Sequence, residues 1–124
     1  MWKIDLNDIQ DVQPTLKRLQ EKRALLQSAR PLAGIALNKI RESLSIEWTY
    51  NSNSIEGNTL SLRETQMVLQ EGITIKGKSL REHFEAHNHE KAINQLYAIV
   101  HNDYVLRAID ILSLHGLVMR SIED

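Results

Sequence analysis

The sequence predicts an all-α fold with one small β-hairpin. Apolar residues recur at helical spacing along most of the 124 residues, and two Ser-x-x-Glu runs have the spacing of helix-opening capping boxes. A short segment at residues 73–79 instead contains β-branched residues in alternation and a glycine at a turn, which is typical of a hairpin. The length suits one domain, and no internal repeat is present.

Two prolines mark the beginnings of the first two helices, because Pro14 and Pro31 stand where a helix can start without losing a backbone hydrogen bond. The first helix has leucines on one face: Leu16, Leu19 and Leu26. The second is amphipathic, with an apolar stripe that continues in phase one heptad further: Leu37, Ile40, Leu44, Trp48 and Ile55. We expect an N-terminal helical segment over residues 1–30 and the remaining elements over residues 31–124.

Capping boxes locate the next two helices. The run at residues 61–64 opens a short helix that we expect to end near Gly72, and the run at residues 79–82 opens a longer helix that ends near His101. The predicted hairpin lies between them. The longer helix carries apolar residues on one side: Ala92, Leu96, Ile99 and Val100.

The last predicted helix has an apolar face that reaches the end of the chain: Ile111, Leu114, Val118 and Ile122. No helix stop signal precedes Asp124, so we expect the sequence to be a truncated piece of a longer protein. An apolar face whose later partners are missing favours contact with another surface. We therefore expect a homodimer, or a domain swap, through this C-terminal helix.

Composition and charge exclude several classes of protein. The net charge of −1 gives no broad positive field of the kind that nucleic-acid binding usually requires. The absence of cysteine excludes disulfides, thiolate catalysis and cysteine metal sites. No apolar run approaches the roughly 18–20 residues of a membrane span, and the N-terminus lacks the apolar segment of a signal peptide. We expect no nucleic-acid or membrane partner and a cytoplasmic location.

The stretch at residues 51–58 admits two interpretations. Asn, Ser and Gly are turn residues, so a polar loop is one of them. In the other, the second helix continues, which places Ser52 and Glu56 on one face and Gly57 at the position of a C-cap glycine. A glutamate at that end opposes the helix dipole at a cost of about 0.3–1 kcal/mol. Its presence there favours a cationic partner outside the helix.

The run Ser52-x-x-x-Glu56-Gly57-Asn58 resembles the inhibitory motif of the Fic family ("filamentation induced by cAMP"), whose members move AMP from ATP onto protein hydroxyls. The resemblance implies that the motif ends an inhibitory helix packed against the catalytic core. It also implies that Glu56 pairs with an arginine of the catalytic loop and keeps that arginine from the γ-phosphate of ATP. A guanidinium binds carboxylate and phosphate with the same fork, so one can compete with the other.

Two further features extend the resemblance. Residues 72–82 are similar to the family's flap, a hairpin that holds an extended segment of the target protein by main-chain pairing. The resemblance assigns target docking to five of them: Thr74, Ile75, Lys76, Gly77 and Lys78. The helix after the flap is matched by Glu85, Asn88 and Ala92, and the start of the catalytic core by Leu114 and His115. The resemblance covers roughly residues 40–124.

The family's catalytic signature, which begins His-Pro-Phe and ends Gly-Asn-Gly-Arg, is absent from the sequence. By the order of the family it would follow Asp124. The resemblance therefore implies that this chain has no catalytic residue, binds no cofactor by itself and is inactive alone. ATP and Mg²⁺ are implied for the complete enzyme, which includes the Fic catalytic core. We expect the regulatory and target-docking N-terminal part of a Fic adenylyltransferase. The alternative is an antitoxin-like module that inhibits a Fic core in trans, although such antitoxins lack a flap.

Other groups of residues have simpler explanations. His83 and His87 have a spacing that can bind Zn²⁺, but no glutamate follows the first of them as in His-Glu-x-x-His, and we expect no metal site. The basic residues between positions 17 and 30 are interleaved with Gln and Glu, which indicates a solvated face. The lysines beside Gly77 lack P-loop spacing. His115 is expected in a core or an interface and not as a catalyst.

Overall fold

The structure, a computed structural model, describes residues 12–30, 34–101 and 103–122. Every regular element in these ranges is helical, which confirms the all-α prediction. The elements are α1 (Gln13–Ser28), α2 (Gly34–Ile55), α3 (Leu62–Gln66), a π-helical segment (Met67–Glu71), α4 (Leu80–Ile99) and α5 (Ala108–Val118). None of these helices combines the length and the apolar character that crossing a membrane requires.

α1 belongs to the first of two compact units, which comprise Met1–Leu37 and Asn38–Asp124. Pro14 lies at its start, and good helix formers such as Lys, Arg, Gln and Glu fill most of its length. None of its residues is buried, and its leucines are exposed: Leu16, Leu19, Leu25 and Leu26. The second helix-opening proline, Pro31, lies outside the described residues.

α2 buries a different face from the apolar stripe. Its buried residues are Ile46 and Thr49. The stripe is exposed at four of its positions, by 45% at Ile40, 52% at Leu44, 46% at Trp48 and 83% at Ile55. The prediction that the apolar stripe forms the packed side of α2 is therefore wrong within the unit Asn38–Asp124. The reason is tertiary, because the polar Thr49 finds a hydrogen-bond partner on α4 and can be buried without a desolvation cost.

The short helix after α2 forms as predicted. Ser61 caps α3 in a complete capping box, in which its hydroxyl accepts from the Glu64 N–H at 3.2 Å and the Glu64 carboxylate accepts from the Ser61 N–H at 2.8 Å. The helix then widens into the π-helical segment, which Gly72 ends at φ +66°. Val68 of that segment is fully buried in a cluster with residues on either side of it in the sequence: Leu60 and Ala86.

The predicted hairpin at residues 73–79 is not formed, and the structure describes this segment throughout. One backbone hydrogen bond, from the Lys78 N–H to the Ile75 C=O at 3.2 Å, closes a turn in which Gly77 has φ +84°. The Ile75 N–H donates to a side chain of α4 and not to a facing strand. The segment between Gly72 and α4 is also too short for two arms of usual strand length. The flap is thus an irregular segment with a turn.

α4 begins at the second predicted capping box, in which Ser79 is the N-cap, and packs against α5. The buried Asn88 joins the two helices, since its Nδ2 donates to the Val118 C=O at 3.2 Å and to the Arg120 C=O at 2.6 Å. These bonds satisfy carbonyl groups that the end of a helix would otherwise leave unpaired.

The apolar face predicted for the last helix is divided by this packing. Ile122 is buried and Leu114 and Val118 are half-buried, so the expectation of an unpartnered face is wrong for these residues. Ile111 is exposed as expected. The other exposed apolar residues of α5 are Ile109 and Leu112.

Candidate functional site

The stretch that resembles the inhibitory motif is helical as far as Ile55. There α2 ends in a Schellman motif, in which the Asn58 N–H donates to the Asn53 C=O at 3.0 Å and the Gly57 N–H donates to the Ser54 C=O at 3.1 Å. Gly57 has φ +92°, a conformation that a side chain would make costly. The helical interpretation, with Gly57 as the terminating glycine, is confirmed.

Glu56 is the residue between the last helical residue and that glycine. It is exposed, and its backbone N–H donates to the Asn53 C=O at 3.1 Å. Within the part of the chain that the structure describes, its carboxylate forms no hydrogen bond or ion pair. The negative end of the helix dipole disfavours a carboxylate at this place. Ser52, one helical turn earlier, is half-buried.

Glu56 forms part of the wall of a cleft of about 340 Å³. Arg81 and Glu85 of α4 line the same cleft, where Arg81 Nε donates to Glu85 Oε1 at 3.1 Å. Residues at the end of α5 and just after it supply an apolar wall: Val118, Met119 and Ile122. The cleft therefore combines an apolar wall with a charged rim, and a cationic group from outside could reach Glu56 there.

Asn58 attaches the end of the motif to α4 through its amide nitrogen and to the following loop through its amide oxygen. Its Nδ2 donates to the Glu82 C=O at 3.1 Å and to Glu85 Oε2 at 2.9 Å. Its Oδ1 accepts the Leu60 N–H at 3.0 Å. Because Asn58 directly follows the terminating glycine, these bonds set the position from which Glu56 projects. Asn58 is therefore a positioning residue for that carboxylate.

Thr59, the next residue, is held by the capping box of α4. Glu82 Oε1 accepts from the Thr59 hydroxyl at 2.6 Å and from the Thr59 N–H at 2.8 Å, while Glu82 Oε2 accepts from the Ser79 N–H at 2.7 Å. These bonds, that from the Thr59 hydroxyl above all, lower the pKa of Glu82 from 4.5 to about 2. Glu82 thus caps α4 and anchors the loop after the motif.

Lys78, one of the residues assigned to target docking, points back to the same loop. Its Nζ donates to the Thr59 C=O at 2.6 Å and lies 3.8 Å from Glu64 Oε2. The ammonium group is therefore engaged within the chain. Of the other flap residues, Ile75 is half-buried against the core cluster and the rest are exposed: Thr74, Lys76 and Gly77.

His83 fastens the flap to α4. The Ser79 C=O can only accept, so Nδ1 of His83 carries the proton and donates to it at 2.7 Å, while Nε2 accepts the Ile75 N–H at 2.9 Å. The residue is 5% exposed. Both ring nitrogens are thus occupied and neither can bind a metal ion. In the ranges that the structure covers, no group of three or more metal-binding side chains is placed to hold one.

Sequence reasoning missed three of these anchors. Thr59 gives no signal of its own, because its partner lies 23 residues further along the chain. Glu82 is identified from the sequence as a helix cap and not as an anchor for Thr59. His83 is considered there as a metal ligand, although its place four residues after Ser79 allows its ring to bond back to that carbonyl.

We expect Glu82→Gln to lower stability while the wild-type carboxylate is charged. The folded state favours the carboxylate, because it lowers the pKa of Glu82 from 4.5 to about 2. Its contribution is therefore full above about pH 4.5 and is lost as the pH falls toward about 2. Urea unfolding should show a difference of about 1 kcal/mol near neutral pH, as for a lost helix cap. Solvent screening of this partly exposed group keeps the difference small.

The matched control for this experiment is Glu71→Gln, which changes an exposed glutamate at the end of the π-helical segment. It should leave unfolding close to that of the wild type throughout the titration. The measurement is the urea midpoint at several values of pH. A difference for Glu82→Gln that stays constant from neutral to strongly acidic pH would show that the carboxylate does not act through its charge.

Comparison with known proteins identifies several relatives. "Protein adenylyltransferase Fic" of Aedes aegypti is 31% identical over 112 residues, which cover 90% of this chain and 22% of that protein. The protein of the same name from Drosophila mojavensis is 33% identical over 108 residues, or 87% of this chain and 21% of the relative. "Protein adenylyltransferase fic-1" of Caenorhabditis briggsae is 34% identical over 86 residues. The chain spans about a fifth of the length of these relatives. No family model and no solved structure matches it.

Proposed function

We propose that this chain, which belongs to the Fic family, is the regulatory and target-docking part of a protein adenylyltransferase. The matched region is only one part of the relatives' own length. In this proposal Glu56 restrains the transfer of AMP from ATP to a protein hydroxyl. ATP and Mg²⁺ are bound by a Fic catalytic core that carries the signature absent from these residues. The chain by itself transfers no AMP.

The observation that carries the proposal is the exposed Glu56 carboxylate on the wall of an open cleft. Gly57 and Asn58 hold the backbone beside it in one conformation. Arg81, on another side of the cleft, is bonded to Glu85. A negative charge at this end of a helix does not stabilise the helix. An arginine from outside the chain would give the carboxylate the partner that its position lacks.

That arginine would bind Glu56 with the same guanidinium fork that otherwise holds the γ-phosphate of ATP. The restraint is therefore a competition between one carboxylate and one phosphate, and it needs no covalent step. Residues 51–54 are weak helix formers, so the last turn of α2 has little stability of its own. A contact that melts this turn would displace Glu56 and release the arginine.

The catalytic core is proposed to cover apolar surface that α2 and α5 expose. The large side chains on these helices that are about half exposed or more include Leu44 and Trp48 on α2, and Ile109, Ile111 and Leu112 on α5. Trp48 also lines an apolar groove with Leu114 and Val118 of α5. Exposed apolar patches of this kind usually contact another protein surface.

A protein target is proposed to dock on the flap through its main chain. Thr74 and Lys76 are exposed, whereas the N–H of Ile75 between them is taken by His83. Residues at i and i+2 offer their main-chain groups to the same neighbour in strand pairing. A target segment would therefore pair with Thr74 and Lys76. Lys78 is not needed for docking, because it is engaged by Thr59.

The proposal is tested by supplying a Fic catalytic core from one of the relatives in two ways. In one arm the core is joined after the chain, and in the other the chain is added to the separate core. Transfer of labelled AMP to protein is measured in both. We expect inhibition that depends on Glu56 in the joined protein. Inhibition of equal strength in the separate arm would favour the antitoxin-like alternative, and no inhibition in either arm would refute both.

We also expect the isolated chain to self-associate through α5. Ile109, Ile111 and Leu112 are 60%, 56% and 64% exposed, and burial of each such side chain contributes about 1.5–3 kcal/mol. Leu112→Glu should therefore weaken dimerisation by roughly tenfold or more, since each 1.4 kcal/mol is a factor of about ten. Light scattering over a range of concentrations measures the change.

Leu25→Glu on α1 is the control, because that leucine is 70% exposed on the other compact unit. It should leave the dimerisation constant unchanged. A wild-type chain that remains monomeric at the highest concentration, or a Leu25→Glu chain that dissociates as readily as Leu112→Glu, would show that α5 does not form the interface.

A further inference from the structure

His89 of α4 joins the inhibitory helix at a buried point. Its Nδ1 lies 2.9 Å from the hydroxyl oxygen of Thr49, a fully buried residue of α2. The rings of His89 and Trp48 pack edge to face, with centroids 5.9 Å apart and planes at 78°. Thr49 and Ile46 are the buried residues of α2. The Thr49–His89 contact therefore attaches one of the two buried residues of that helix to α4.

Among the described residues, those that line the groove beside His89 include no counter-ion for a charged ring. The groove beside it is lined by Trp48 of α2 and by Leu114 and Val118 of α5, none of which titrates, and by apolar residues of α4: Ala92, Ile93 and Leu96. Burial lowers the pKa of His89 from its ordinary value of 6.5. A protonated imidazole in this groove would be a partly buried charge without a counter-ion among the groove residues.

Charged and titratable groups near His89 on the packed elements are bonded to other residues, line a different cleft or are exposed. On α4, Glu85 is bonded to Asn58 and Arg81, and Glu90 lines a different cleft with Glu42. On α2 and α5, the titratable residues nearest in sequence to the groove residues are exposed: Glu47 and His115. The hydrogen bond alone does not select the neutral ring, because the Thr49 hydroxyl can either donate or accept. Burial is what selects it.

We propose that His89 is a pH-sensitive clasp between α2 and α4, which holds the C-terminal half of α2 while the imidazole is neutral and loosens it when the imidazole is protonated. The direction of the pH dependence follows from the burial of the ring. The folded state prefers the neutral ring, so the contribution of the clasp is full above about pH 6.5 and declines as the pH falls below it. The part of α2 between Thr49 and the anchored Asn58 has little helical stability of its own, because residues 51–54 favour a helix weakly.

Loosening of α2 would also displace Glu56, seven residues after Thr49, and raise AMP transfer at mildly acidic pH. This consequence rests on the proposed function, whereas the clasp itself does not. The two are separated by measuring the clasp in the isolated chain, without any transfer reaction. Loss of inhibition on Glu56→Gly tests the proposed function independently of pH.

The test is hydrogen exchange of the amides of residues 50–55 in the 124-residue chain at about pH 7.5 and about pH 5.5, corrected for intrinsic exchange. We expect the exchange to accelerate roughly tenfold at the lower pH in the wild type, because protonation shifts the opening equilibrium by up to tenfold per pH unit. His89→Gln, which stays neutral, should abolish this response. His87→Gln, two residues earlier on α4, is the matched control and should retain it.

A response that survives His89→Gln, or that disappears in His87→Gln, overturns the clasp. Should His89→Gln fail to fold, an NMR titration of the wild-type ring decides instead. A pKa of His89 below about 6.5, with line broadening of the Thr49 and Trp48 signals as the ring titrates, supports the proposal. A pKa at or above that value overturns it.

Discussion

Replacement of Glu56 by glycine is expected to raise AMP transfer roughly 5–150-fold in a protein that joins this chain to a Fic catalytic core. The range corresponds to a coupling of about 1–3 kcal/mol between the inhibitory helix and the productive position of ATP. The physical reason is the loss of the carboxylate that competes with the γ-phosphate for an arginine. AutoAMPylation at equal ATP concentration measures the gain.

A series at the same position separates charge from flexibility. Glu56→Gln keeps the length of the side chain and removes its charge, so it should release most of the activity that Glu56→Gly releases. Glu56→Asp keeps the charge on a shorter side chain and should release it in part. Ser52→Ala removes a half-buried hydroxyl and leaves the carboxylate, so its effect should be weaker.

Glu47→Ala is the matched control, because Glu47 is an exposed glutamate on the same helix. It should leave AMP transfer unchanged. If Glu56→Gly and Glu56→Gln are no more active than the wild type, the carboxylate does not restrain the enzyme, and the stretch at residues 51–58 is a helix end without a regulatory role. A gain with glycine and none with glutamine would assign the restraint to backbone rigidity.

Asn58→Ala is expected to destabilise the chain by about 1–3 kcal/mol and to release part of the restraint. Three hydrogen bonds are lost, and the Glu82 C=O, the Glu85 carboxylate and the Leu60 N–H are each left without this partner. The loss of hydrogen bonds to partly buried groups is what makes the substitution costly. The turn that carries Glu56 would then be attached to α4 only through the neighbouring Thr59. Urea unfolding measures the first effect and AMP transfer in the joined protein the second.

The matched control for this substitution is Asn51→Ala on α2. Asn51 is exposed, and its Nδ2 donates to the Glu47 C=O of its own helix at 2.8 Å. Its removal should change the free energy of unfolding by no more than about 0.5 kcal/mol. Equal effects of the two substitutions would show that the bonds from Asn58 to α4 do not hold the motif. Destabilisation by Asn58→Ala without a gain in AMP transfer would separate stability from restraint.

Local signals in the sequence determined where most helices begin and end. The capping boxes at Ser61 and Ser79 were predicted correctly, and Gly57 as the terminating glycine of α2 was one of the two interpretations that the sequence allowed. Each of these features is decided by groups within about five residues, because the unpaired N–H and C=O groups of a helix end lie within one turn. Such short-range chemistry can be recognised without knowledge of the fold.

The flap and the buried face of α2 depended on partners far along the chain. The predicted hairpin is absent because His83 takes the N–H of Ile75. The apolar stripe of α2 is exposed because the buried side holds Thr49, whose partner His89 lies 40 residues further on. A polar side chain can enter a core when its hydrogen bond is satisfied there.

The sequence by itself thus determined the all-α class, the helix beginnings at Ser61 and Ser79 and the relation to the Fic family. Only the tertiary structure decided which residues hold Glu56 in place, since Asn58 meets Glu85 across 27 positions of the chain. Spacing along one helix specifies a face but not its neighbour. The neighbour is selected when the helices pack, because burial then favours the arrangement that leaves the fewest polar groups unpaired.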